Sequence, residues 1–432
     1  MNVYVVQEGD TITSIANTFK VSETRIAQEN FVTDLNNLVV GDTLVITYPT
    51  QIYVIKDGDS LEGIADSFGI PLMQLYRNNP YLWEKESLTV GEMLVISYNT
   101  QAEITTNGYV FSFVGLNTLR ITLPYLTYLT IMNYKMSEKG NLEPYYNESE
   151  ITTLAKQFGV QPLLLISSLD ISGNRNPQVG YEILINPEAQ LALAKNMIQV
   201  MKEKGYYGAN MVFTVLNERT QRLYIELLKR IVPLINEEGF TVFVTVDSGI
   251  ERPEGESVYE KLDYTEVGKL VKGLYLTSLY WGTLTGPPRP VSSIPEVKEY
   301  LDYVKKMVDP KKLNISFPLI GYIWTLPYIR GYTKANSYTI NAAINLAYLT
   351  DSTILFDEVS KTPYFSYEYE SRTDIIKHEV RFVDARTINE IIKLTIENAL
   401  QGTGLWNIMS FYPQIWIMFN SIYRIIKLLP EE

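Results

Sequence analysis

The stretch Tyr206-Tyr207-Gly208-Ala209-Asn210-Met211-Val212-Phe213-Thr214-Val215-Leu216 decides the fold. Met211 to Leu216 is apolar apart from Thr214 and reads as a buried strand entered through a turn at Gly208. Amphipathic helical stretches flank it, Glu188–Lys204 before and Thr220–Glu238 after. A buried strand between two such helices is the repeating unit of a parallel β/α architecture.

The same alternation runs from about residue 101 onward. Candidate strands are Tyr109–Phe113, Tyr128–Met132, Leu163–Ser167, Met211–Leu216, Thr241–Val246, Leu274–Leu279, Asn314–Phe317 and Leu405–Met409. Glu148–Gln157 and Ile294–Met307 supply further helices between them. Eight strands over roughly 330 residues fit a TIM (β/α)8 barrel, an α/β fold that needs ~250 residues before insertions. The surplus falls after the seventh strand, at about 324–386. There Asn336–Tyr348 reads as helical, and Tyr364–Tyr369 with Lys377–Phe382 as a hairpin, making a small α+β insertion.

Ahead of the barrel stand two copies of one unit, residues 1–48 and 51–97. Tyr4-Val5-Val6-Gln7-Glu8-Gly9-Asp10-Thr11-Ile12 corresponds to Tyr53-Val54-Ile55-Lys56-Asp57-Gly58-Asp59-Ser60-Leu61. Ile15-Ala16, Phe19 and Asn30 keep step with Ile64-Ala65, Phe68 and Asn79, and each copy closes on Gly-x-x-Leu-Val-Ile. Each copy reads strand, helix, helix, strand, with Thr11 and Ser60 placed to cap a first helix. Both resemble the lysin motif (LysM), whose members bind N-acetylglucosamine-containing glycans such as peptidoglycan and chitin. The resemblance implies glycan contacts at Gly9, Asp10, Thr11, Ile12 and Asn30, and at Gly58, Asp59, Ser60, Leu61 and Asn79. The alternative for these residues is that they only turn the chain and cap the helix. Two weak sites on one short linker would gain from effective concentration on a polymer.

Composition narrows the function. The net charge of -12 disfavours nucleic acid and anionic lipid. The absence of cysteine removes disulfides, thiolate metal sites and cysteine nucleophiles, and the single His378 rules out a multi-histidine metal site. No cofactor or metal is expected. No apolar run approaches the ~20 residues of a membrane span, and the N-terminus lacks a signal peptide's pattern.

The barrel segment is similar to the spore-associated branch of glycoside hydrolase family 18, in which LysM units precede an N-acetylglucosaminidase that cuts spore cortex peptidoglycan. The likeness rests on Phe317-Pro318-Leu319-Ile320-Gly321-Tyr322-Ile323-Trp324-Thr325-Leu326-Pro327-Tyr328, on Tyr364–Tyr367 and His378–Arg386, and on Gly404-Leu405-Trp406 with Pro413-Gln414-Ile415-Trp416. It implies substrate-assisted retaining hydrolysis, with a strand-four glutamate as proton donor and a neighbouring aspartate orienting the acetamido nucleophile. Laid on the family's D-x-x-D-x-D-x-E run, the acid positions hold Tyr207, Asn210, Val212 and Thr214. Thr214 stands at the proton donor and Val212 at the orienting aspartate. A hydroxyl is far too weak an acid for the first role, and a hydrocarbon cannot accept a hydrogen bond in the second.

Strand six departs as well: aligning Trp281-Gly282 puts Leu279 and Tyr280 where the family carries tyrosine and an acid. Ile323 replaces the aspartate after Gly-Tyr. Glu218 and Asp247 are the candidate substitute acids, and each is equally read as a surface residue or helix cap. Tyr280, Trp281, Tyr322 and Trp406, with Trp324 nearby, either line a sugar site by aromatic stacking or pack the barrel. His378 reads as structural. The expectation is a non-catalytic peptidoglycan- or chitin-type glycan-binding protein of the spore or cell envelope, made in the mother cell without a signal peptide. The rival is an active N-acetylglucosaminidase with relocated acids. The 32 tyrosines suit contacts with other envelope proteins.

Overall fold

The computed structural model describes residues 1–32, 34–35, 38–85, 87–171, 176–214, 216–247, 249–251, 257–277, 284–370 and 375–430. Eight parallel strands close a barrel: β1 (Ala102–Phe111), β2 (Tyr128–Met132), β3 (Gln161–Ser167), β4 (Gly208–Thr214), β5 (Thr241–Asp247), β6 (Gly273–Thr277), β7 (Leu313–Pro318) and β8 (Gly402–Trp406), with β8 returning to β1. β4 lies between β3 and β5 in the register Val212↔Ser167 and Val212↔Thr245. Gly208 opens β4 where a Cβ would overlap the Thr241 carbonyl, so a side chain there would push the strands apart.

The outer helices bury the stripes their sequences carry. Pro187–Lys204 turns Leu193, Ala194, Met197 and Met201 inward, and Glu218–Glu237 turns Tyr224, Leu227, Leu228, Ile231 and Ile235. Asn217 accepts the amides of Arg219 and Thr220 and so starts the second helix just past β4.

Several strands differ from expectation, β4 among them, which opens at Gly208 ahead of Met211. β1 starts seven residues before Tyr109 because Tyr423–Ile425 pairs with its first residues. β8 ends at Trp406, short of Met409. The insertion is a five-stranded antiparallel sheet that already includes Ile320–Leu326, so it begins directly after β7. Asn336–Thr339 is an edge strand of that sheet, and the helix runs Ile340–Leu349. The hairpin forms as Thr362–Glu370 against Ile375–Arg381.

Each N-terminal module is an antiparallel strand pair beside two helices, Ile12–Phe19 with Glu23–Asn30 and Leu61–Phe68 with Leu72–Asn78. Both modules pack on the barrel. In module 1, Gln414 is gripped by Thr43, whose hydroxyl donates at 2.9 Å, and Arg386 donates to the Gly41 carbonyl at 3.0 Å. In module 2, Arg77 donates to the Pro124 carbonyl at 2.7 Å while Tyr125 and Asn420 donate to the Arg77 carbonyl. Between the modules Gln28 donates to Glu92 at 2.6 Å, and within module 1 Thr47 donates to the buried Glu29 at 2.8 Å.

Candidate glycan site

The barrel interior is built in three layers, as alternation along each strand requires. At the bottom Tyr128, Leu163, Phe243 and Tyr275 pack together with Tyr207 beside them. Above them lies a neutral polar network. The Tyr109 hydroxyl and Thr245 Oγ1 share a 2.6 Å hydrogen bond, and Thr245 also lies 2.9 Å from Asn210 Oδ1. Asn210 Nδ2 donates to Tyr109 at 3.2 Å, while Thr130 donates to Asn107 Oδ1 at 2.9 Å. Burial pushes the Tyr109 phenol above its ordinary range, so it stays neutral. The top layer is hydrocarbon: Val212 packs with the Tyr109 ring, Met132 and Leu165, flanked by Phe111, Leu169 and Trp406. Trp406 leans on Tyr109 and Phe111 at ring separations of 5.3 and 6.2 Å.

The eight strand ends are where a TIM barrel carries its chemistry. Here they are Phe111, Met132, Ser167, Thr214, Asp247, Thr277, Pro318 and Trp406. One of the eight is a carboxylate. Asp247 is buried and pairs in register with Thr214, and its Oδ1 accepts the Gly249 amide at 3.1 Å. Glu218 is exposed in the first turn of the helix after β4, where its charge suits the helix N-terminus. Among the described residues no group of three or more His, Cys, Asp and Glu side chains could hold a metal ion.

The predicted site residues separate. Tyr207 sits in the lowest layer, Asn210 in the polar network and Val212 in the cap. Trp406 is half-buried at the end of β8, at the barrel mouth. Tyr322 is not at that mouth. It is 8% exposed within the insertion sheet, beside Trp324, because Ile320–Leu326 left the barrel for that sheet. Trp324 itself is fully buried and donates to the Gly286 carbonyl at 2.9 Å. Tyr280 and Trp281 lie outside the described residues. His378 stacks on Tyr367 at 4.8 Å in the insertion sheet, and partial burial lowers its pKa.

In the modules, Gly9 and Gly58 take left-handed backbone, with φ of 81 and 82 degrees, and stand exposed with Thr11 and Ser60. Thr11 and Ser60 each accept an amide three residues on at 3.0 Å, and Asp10 and Asp59 each accept a tyrosine hydroxyl, from Tyr4 and Tyr53. Ile12 is buried in the first module's core and Leu61 packs against the second's. Asn30 and Asn79 require a correction. Each donates to two carbonyls, Ile26 and Val45 or Leu75 and Val95, and accepts the amide of Val45 or Val95 at 2.7 Å. With both ends of the amide spent on backbone, they tie the second helix to the last strand, and Asn30 reaches a cleft only as part of its wall. The polar network around Tyr109 was missed by sequence reasoning; its signal was a single polar residue inside each of several apolar strands, Thr130, Asn210 and Thr245.

This architecture is that of a glycoside hydrolase barrel carrying glycan-recognition modules. The chain belongs to the Glycosyl hydrolases family 18, which its residues 93–410 match, and residues 4–47 and 53–97 each match the LysM domain. It is 30% identical to the cortical fragment-lytic enzyme of Bacillus subtilis, with 99% of both chains covered. It is 26% identical to a putative sporulation-specific glycosylase, YdhD, of the same organism, over 97% of this chain and 98% of that one. The spore cortex-lytic enzyme SleL of Bacillus megaterium superposes with a TM-score of 0.78 at 26% identity, and that of Bacillus cereus with 0.77 at 25%, each over 99% of both chains. No described helix is long and apolar enough to cross a membrane.

Proposed function

We propose that this protein binds N-acetylglucosamine-containing peptidoglycan of the spore cortex and does not cleave it by the family's substrate-assisted route. The observation that carries this reading is the barrel mouth: one carboxylate among eight strand ends, and a hydrocarbon cap where the acetamido-orienting aspartate belongs. Losing a positioned general acid forfeits roughly 10²–10⁴ in rate, and losing the group that aligns the nucleophile adds several kcal/mol to the barrier. The exposed Gly-Asp-Thr/Ser turns of both modules remain as glycan contacts.

A second reading is an N-acetylglucosaminidase acting on cortex peptidoglycan with a relocated acid. The names of the full-length relatives favour it, and Asp247 at the end of β5 is its best-placed carboxylate. Incubation with cortex fragments and with a chromogenic N-acetylglucosaminide separates the two. The binding reading expects retention on cortex peptidoglycan with no turnover above a blank. Turnover that disappears in Asp247→Asn or Glu218→Gln would establish the hydrolase instead.

A further inference from the structure

The two modules are sequence copies, but the barrel treats them differently. In module 2 the chain after the second helix folds into a short helix, Pro80–Glu84. Its Trp83 stacks on Tyr76 at 4.1 Å and reaches Phe158 of the barrel at 5.7 Å, so this side of the module is closed by docking. In module 1 the corresponding chain borders an open cleft of about 510 Å³. One wall is the module, with Phe31, Asp34, Leu38 and Asp42. The other is barrel and insertion, with Asn341, Asn345 and Tyr348 of the insertion helix and Phe411 beyond β8.

The cleft has the size and mixed lining of a ligand site. Phe31 is the left-handed cap that ends the helix Glu23–Asn30, which turns its ring out of the module to meet Phe411 at 5.5 Å and 59 degrees. Both rings are half-buried, and Tyr348, on the same wall as Phe411, is 45% exposed. Asn341 is exposed and donates to the Phe411 carbonyl at 3.1 Å, fixing that loop against the insertion helix; Asn345, one turn on, is also exposed. Aromatic faces with amides at their edges are suited to the CH faces and hydroxyls of a pyranose. Among the described residues that line the cleft the acids are Asp34 and Asp42, with no lysine or arginine, and burial pushes Asp42 up to about 7, so its charge is only partial at neutral pH. A neutral sugar therefore enters without an electrostatic penalty, whereas a carboxylate-bearing one meets like charge at Asp34.

We infer that module 1 and the barrel insertion together form a composite site for a neutral N-acetylhexosamine oligosaccharide, with Phe31, Phe411 and Tyr348 as its stacking surfaces. This deepens the glycan-binding reading above and rests on it. The test is calorimetry of the full chain with the tetramer of N-acetylglucosamine, and with a peptidoglycan disaccharide that keeps its free muramic acid carboxylate. Tyr348→Ala should weaken the tetramer about tenfold, and Asn345→Trp, which fills the cleft from an exposed helix position, should abolish this binding. Unchanged melting curves would establish that both variants fold. If the wild type binds the tetramer and neither variant alters it, the composite site is wrong while glycan binding by the modules stands. If the wild type binds neither sugar, both readings fall. Equal or tighter binding of the carboxylate-bearing sugar would overturn the selection for neutral ligands.

Discussion

Val212→Asp restores by one substitution the carboxylate that the family places next to its proton donor, and it probes whether the barrel mouth is a filled core or an open pocket. Val212 is 3% exposed and packed among Tyr109, Met132 and Leu165. Its strand neighbours offer it no cation. A carboxylate forced into that layer should cost about 3–5 kcal/mol at neutral pH, lowering the unfolding midpoint by roughly 5–10 °C. Val212→Thr has nearly the same shape and adds only a hydroxyl, so it should cost about 1–2 kcal/mol. The penalty on the aspartate should depend on pH. Burial raises its folded-state pKa above the unfolded value. The destabilisation is then complete at pH 8 and shrinks as pH falls through the folded-state value, leaving mainly the cost of a neutral acid near pH 4. Thermal unfolding followed by circular dichroism at the two pH values measures this, and the chromogenic substrate assay should stay blank. A variant that melts with the wild type at pH 8 would refute the reasoning, because the side chain at 212 would then face water and the mouth would be open to a sugar.

Other expectations follow from the modules. Asn30→Ala and Asn79→Ala each leave buried backbone groups unpaired and should cost about 2–4 kcal/mol; glycan binding should survive at low temperature, and binding lost without any change in melting would make them contact residues after all. Glu29 is held at a pKa of about 7, chiefly by burial and despite Arg25 and Thr47. Because the folded value is raised, the native state keeps a proton that the unfolded chain releases. Stability should therefore fall by about 3 kcal/mol as pH rises from the ordinary glutamate range to about 7, then level off; denaturant titrations across that window should show the slope, and Glu29→Gln should flatten it. Gly41→Ala sets a left-handed residue (φ 85) and a Cβ that would overlap the Ile354 carbonyl against each other; it should release module 1 from the barrel, read as faster proteolysis between the modules with the barrel's melting little changed.

Much of the architecture was legible in the chain because it rests on local patterns. Apolar runs of strand length between amphipathic helices define a β/α barrel, and duplicated Gly-Asp-Thr/Ser turns define two modules, since periodicity and turn chemistry act over a few residues. The replacement of acids at 207, 210, 212 and 214 was equally plain. What the letters could not decide is where side chains end up after distant segments meet. Asn30 and Asn79 read as ligand contacts, whereas the fold brings the last strand of each module back onto them and uses both amides on its backbone. Tyr322 looked like a mouth residue until its strand joined the insertion sheet, and the start of β1 depended on a partner more than three hundred residues later. The cleft beside Phe31 exists because module 1 docks on the barrel through Gln414 and Arg386, next to the insertion helix, and docking is a property of two complementary surfaces that no single stretch of sequence contains.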